Sequence, residues 1–190
     1  GARVASRLEF DIDQIKATAL CGAGPSNIRY WNLMDKPVML FSGTGDFNYI
    51  EMNSIHNSPA KSRATSLNIF RGKHEWPPVE SMEDFFILMN RLHKGPVKNS
   101  EDNMLARSRA SLKENRPDLA LYSAVSAIYA LDEGNAPKLK ALVDSIGKNI
   151  PQSFEKEFQA TLQKETEQQS QIQLMYHQLD STKYKAYLNI

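Results

Sequence analysis

Four consecutive apolar residues, Val38-Met39-Leu40-Phe41, follow Pro37 and run directly into Ser42-Gly43-Thr44-Gly45-Asp46. A strand with one face in water alternates apolar and polar residues, whereas an unbroken apolar run suits a parallel strand covered on both faces. Two further β-type runs flank it. Ile15 to Cys21 ends at Gly22-Ala23-Gly24-Pro25, a cluster few regular elements survive, and Ser66 to Phe70 ends at Arg71-Gly72-Lys73. Strands separated by helical segments form βαβ units, so the first half of the chain is predicted to be α/β, with a parallel sheet of about three strands.

The helical segments are read from spacing. Val4 and Leu8, four apart within Ala2 to Phe10, predict a short helix with one buried stripe. Ser26 to Lys36 is expected to be a short helix or packed loop, Asp46 to Asn57 a short helix, and Ser58 to Thr65 a polar connector. Ser81 with Asp84 three residues on resembles a capping box, and Met82, Phe85, Phe86, Met89 and Leu92 recur at spacings that share one helical face.

Gly95-Pro96 closes this section. From Glu101 onward the β-type runs disappear and Gly and Pro thin out, so residues 1–95 read as an α/β section and residues 101–190 as an all-helical extension. Met104 to Lys113 and Leu119 to Leu131 flank Asn115-Arg116-Pro117 as a helical hairpin. Ala120, Ala124 and Ala127 form a small-residue face that admits a close neighbour. This face looks like the second helix of a tetratricopeptide-type repeat, although the Trp, Gly and Tyr positions of that motif are unmatched on the preceding helix. Lys138 to Ile146 is predicted as a third helix, stopped at Gly147. After Pro151, Phe154, Phe158 and Leu162 make one apolar stripe and Ile172, Met175 and Leu179 another, with a polar interval from Gln163 to Gln171 suited to solvent or a domain end.

Composition narrows the function classes. The net charge of +1 comes from interspersed acids and bases, so no basic stripe invites nucleic acid. No apolar run is long enough to span a bilayer, and no signal-peptide pattern opens the chain. The lone Cys21 excludes an internal disulfide and a thiolate zinc cage, and within an apolar run it reads as a small buried hydrophobe. His56, His93 and His177 have no partners at metal-ligand spacing. Neither a metal nor a cofactor is expected.

The chemistry lies in Arg71-Gly72-Lys73-His74-Glu75-Trp76-Pro77-Pro78, just past the third β-type run. A histidine on a glycine-flanked loop after a strand, with Trp-Pro-Pro and an amphipathic helix behind it, resembles the base loop of α/β-hydrolases of the dienelactone hydrolase and prolyl oligopeptidase type. The resemblance covers about residues 1–95, the C-terminal half of such a domain. It implies that His74 is the catalytic base and that Asp46, on its Gly-Thr-Gly-Asp loop, is the acid that orients it; the order acid then base is that of the family. Asp46 also suits the N-cap of the helix after it, and the two roles are compatible. Gly1-Ala2-Arg3-Val4-Ala5-Ser6 looks like the continuation of a Gly-x-Ser-x-Gly nucleophile elbow with Gly1 as its last glycine, which places the expected serine upstream of this chain.

Ser6 would lie a turn inside that helix, away from the elbow tip, and Glu75 reads as a loop-bracing carboxylate. The resemblance thus implies a serine hydrolase acting on a small-molecule ester, thioester or peptide, of which this chain alone is inactive. The alternative is a non-catalytic hydrolase-derived module that binds a protein partner through residues 101–190. Tyr30, Trp31, Tyr49 and Trp76 suit either an aromatic pocket or the core.

Overall fold

A computed structural model describes residues 1–25, 36–57, 65–97, 100–149, 151, 156, 160–168, 170–172, 174, 175 and 178. The expected element at Ser26 to Lys36 (save Lys36), the connector from Ser58 to Ala64, and the positions Phe154, Phe158, His177 and Leu179 lie outside the described residues. Two compact units are present, Gly1–Asn149 and Ile150–Ile190.

The first unit is a mixed α/β fold. Its elements run α1 (Ala2–Asp11), β1 (Thr18–Cys21), β2 (Val38–Gly43), α2 (Tyr49–His56), β3 (Thr65–Phe70), α3 (Val79–Lys94), α4 (Glu101–Lys113), α5 (Pro117–Leu131), a 3-10 turn (Glu133–Asn135) and α6 (Pro137–Asn149). The strands form one parallel sheet in the order β1-β2-β3, in a register that aligns Leu20, Leu40 and Leu67. The first strand is shorter than the Ile15 to Cys21 run predicts. The other two are slightly longer than predicted.

The two sheet faces build two cores. Leu20, Val38, Leu40, Leu67 and Ile69 pack with Met52 and Ile55 of α2, with Ala2 and Ala5 of α1 against them. Met39, Phe41 and Phe70 point the other way, into a core completed by Leu88 of α3, Met104 and Leu105 of α4, Ala124, Ala127 and Ala130 of α5, and Leu139 of α6. Every residue of β2 and of β3 is buried, as a strand covered on both sides requires. The change in composition near residue 95 falls inside this unit, because α4 to α6 share the core beneath the sheet.

Three local expectations are corrected. In α1, Val4 is 62% exposed and Leu8 is exposed as well, while Ala2 and Ala5 face the sheet and Ser6 is buried. A four-residue spacing marks a face without saying which neighbour it meets, and here the small side goes inward and brings the helix close to β1. In α3, Pro78 is the N-cap and Ser81 lies inside the helix, so Ser81 and Asp84 form no capping box. The buried positions of that helix are Asp84 and Leu88, while Met82, Phe85 and Met89 flank them; Phe86 is 64% exposed and Leu92 is also turned outward. Finally, α6 passes through Gly147 and ends at Asn149, since one glycine costs a helix only about 1 kcal/mol.

In the second unit, residues 160–168 and 170–172 are helical, with Thr166 Oγ1 donating to the carbonyl of Leu162 at 2.7 Å. Ile172, Leu174 and Met175 are exposed there.

Candidate active site

The site grows from the loops at the carboxyl ends of the strands, where open α/β sheets place their ligands. β2 ends at Gly43 and β3 at Phe70, and the loops that follow are joined main chain to main chain. The Thr44 N–H donates to the Phe70 carbonyl at 2.8 Å, and the Gly45 N–H to the Gly72 carbonyl at 2.7 Å. Gly43 permits this approach: a Cβ there would meet the carbonyls of both Gly72, at 2.6 Å, and Lys73. The join brings the two loop residues of interest together. His74 Nδ1 lies 3.1 Å from Asp46 Oδ1.

The acid is held firmly. Its side chain is 1% exposed, and Oδ1 also accepts the Asn48 N–H at 2.8 Å in an Asx turn that leads into α2. The residue that caps α2 is Asn48 itself. The second carboxylate oxygen, Oδ2, is buried with no hydrogen-bond partner among the described residues. It faces Gly22, the residue after β1, where φ is +64° and an added Cβ would stand 3.0 Å from Asp46 Oδ2 and 3.0 Å from His74 Cε1 and Nδ1. Glycine fits that position on both counts, by conformation and by space. The side-chain amide of Asn48 donates to the Gly22 carbonyl, tying the exit of β1 to the acid loop.

The imidazole is half exposed, at 49%, and lies against the Phe47 ring with centroids 4.6 Å apart. With Nδ1 facing a carboxylate, the proton is best placed on Nδ1 and Nε2 is left as acceptor. His74 also lines a cavity of about 510 Å³ with Gly1, Ala2 and Ala5 of the α1 region, Ala19, Cys21 and Gly22 of the β1 edge, and Trp76. The first turn of α1, which carries no acidic residue and no side-chain cap, borders this cavity through Gly1 and Ala2.

The other polar groups nearby have settled roles. Ser6 is buried and donates to the Arg3 carbonyl at 2.9 Å, inside the helix as its spacing implies. Glu75 Oε1 accepts the Lys73 N–H at 2.9 Å and braces the loop that carries His74. Burial pushes the Cys21 thiol up to about 11, so it stays protonated and a poor nucleophile at neutral pH. His56 Nδ1 lies 3.3 Å from Thr65 Oγ1, away from this site. Among the described residues no group of three or more His, Cys, Asp or Glu could hold a metal ion, and no helix is long and apolar enough to cross a membrane.

Phe47, Asn48 and Gly22 are missing from the site as read in the sequence. The signal for the first two was their adjacency to Asp46; for Gly22 it was a glycine closing a strand. No protein family model, curated protein or solved structure matches the chain.

Proposed function

We propose that this chain carries the acid and base of a Ser-Asp-His triad, in a serine hydrolase of the α/β-hydrolase type that cleaves an ester, thioester or peptide bond. The observation that carries this reading is the 3.1 Å pairing of His74 Nδ1 with a buried Asp46, delivered from the ends of two adjacent parallel strands beside a cavity. A serine supplied from upstream of Gly1 attacks the substrate carbonyl, and Nε2 of His74 takes its proton and passes it to the leaving group. Water then attacks the acyl-enzyme with His74 again as base. Asp46 holds the productive tautomer and stabilises the imidazolium.

The edge of the sheet supports this arrangement. The Thr18 N–H donates to Pro37 and the Gly22 N–H to Phe41, so residues 18, 20 and 22 direct their main-chain groups at β2. Ala19 and Cys21 therefore direct theirs at the other edge, which no strand occupies among the described residues. A strand added there would end beside the cavity that His74 lines. The alternative reading, a partner-binding helical module, loses one surface: Ala120, Ala124 and Ala127 are fully buried in the unit's own interior.

The test is hydrolysis of an activated aryl ester by the 190-residue chain, alone and together with the polypeptide encoded immediately upstream. The chain alone should show no turnover, because base and acid without a nucleophile form no acyl-enzyme. Supplying an upstream Gly-x-Ser segment should restore turnover, and His74→Ala should then abolish it. Many turnovers by the isolated chain that disappear on His74→Ala would place the nucleophile within residues 1–190 and overturn the proposal.

A further inference from the structure

We infer that Phe47 is a positioning residue for His74, fixing which ring nitrogen faces the cavity; its catalytic meaning rests on the proposed role of His74 as base. A large ring left 66% exposed is not explained by burial in the core. Phe47 packs on the imidazole at a centroid distance of 4.6 Å and an interplanar angle of 35°, within the range of a favourable aromatic pair.

His74 has need of such a contact. Among the described residues one hydrogen bond, Nδ1 to Asp46 Oδ1, tethers a side chain that is half in water. Rotation of a histidine ring about its second side-chain torsion is soft and roughly two-fold, and a half-turn would exchange Nδ1 for a carbon and turn the wrong edge to the acid. Phe47 covers the ring, and Gly22 abuts its Nδ1–Cε1 edge. The phenyl group is itself well placed for the task. It sits between Asp46, which is buried and takes the Asn48 N–H, and Asn48, whose amide is anchored on the Gly22 carbonyl. Acid, covering ring and tether are thus three consecutive residues on one loop.

The experiment is long-range proton–nitrogen NMR of the His74 ring in the full chain at a pH where the imidazole is neutral, which reports the ratio of Nδ1–H to Nε2–H tautomer without requiring turnover. The wild-type ratio should favour Nδ1–H. Phe47→Ala should lower it about two- to tenfold, the factor that the loss of one aromatic pair commands. Phe47→Leu should lower it similarly, and Phe47→Tyr should restore it; a residue of merely structural importance would not move this ratio. Asp46→Asn serves as the reference change. If Asp46→Asn shifts the ratio and Phe47→Ala does not, the inference about Phe47 fails while the acid–base pair stands. If neither change shifts it, His74 is not paired with Asp46 in solution, and the triad reading falls with the inference.

Discussion

At Gly43 a single hydrogen atom in place of a methyl group decides whether two loops can meet. The carbonyls a Cβ would strike belong to the main chain of Gly72 and Lys73, which cannot swing aside as a side-chain tip would. Gly43→Ala should therefore part the loops and weaken the bonds from Thr44 and Gly45. We expect a loss of about 1 to 3 kcal/mol in urea unfolding, the scale of an overpacked site, together with loss of the Nδ1–H preference of His74. A variant with native stability and an intact His74 signal would show that the approach is looser than described.

A second residue-scale case is Asp84, buried among Asn68, Ser126 and the Arg107 guanidinium. Asn68 donates to Asp84 Oδ2 at 3.2 Å, and Arg107 reaches Oδ1. Burial pushes this carboxyl above the ordinary carboxylate value of 3.8, against the opposing pull of Arg107. The folded chain then keeps that proton to higher pH than the unfolded chain does. Its contribution to stability is full below 3.8 and is lost as pH rises through the raised value. Asp84→Asn should flatten that decline in a series of unfolding curves across acidic pH. Arg107→Gln should cost about 3 to 5 kcal/mol at neutral pH, as removing one partner of a buried pair does, with partial recovery on acidification. Equal losses at acidic and neutral pH would mean that Asp84 does not retain its charge change in the folded chain.

Among the elements, α5 is the one around which the helical layer is built. It packs against α3, α4, α6 and β3, and its alanines are closed in on every side. Ala124→Leu should overpack this contact and cost about 1 to 3 kcal/mol; an unchanged denaturation midpoint would place the alanine face at a looser boundary. The small-residue spacing of this helix was legible because alanines three and four apart permit only a close neighbour. The inward face of α3 was less so. Its stripe of Met and Phe pointed roughly to the core, yet Phe86 turned out to be exposed and Asp84 buried. A carboxylate is expected outward unless a partner meets it, and the partner, Arg107, lies on α4 beyond a separate turn. Local periodicity carries no record of so distant a pairing. The same limit applied to α1, where spacing found the helix but not the side that meets β1.

For the whole molecule, the parallel sheet was the most readable level, because an unbroken apolar run, two flanking β-type runs and the helices between them leave few arrangements. Asp46 and His74 were legible as candidates through their places just beyond strand ends; that they lie within hydrogen-bond reach was not, since it depends on the register of β2 against β3 and on the backbone join beyond them. Phe47 and Asn48 escaped because adjacency to Asp46, the one signal they carried, says nothing of what their side chains meet: the imidazole for one and the Gly22 carbonyl for the other.

That join has a further consequence. Because amide and carbonyl groups at Thr44, Gly45, Phe70 and Gly72 make it, it is indifferent to what the side chains at Thr44, Arg71 and Lys73 happen to be. The spacing of the two loops is set instead at Gly43, where a side chain would strike the opposite main chain, so exchanging those three side chains should leave the 3.1 Å approach of His74 to Asp46 in place.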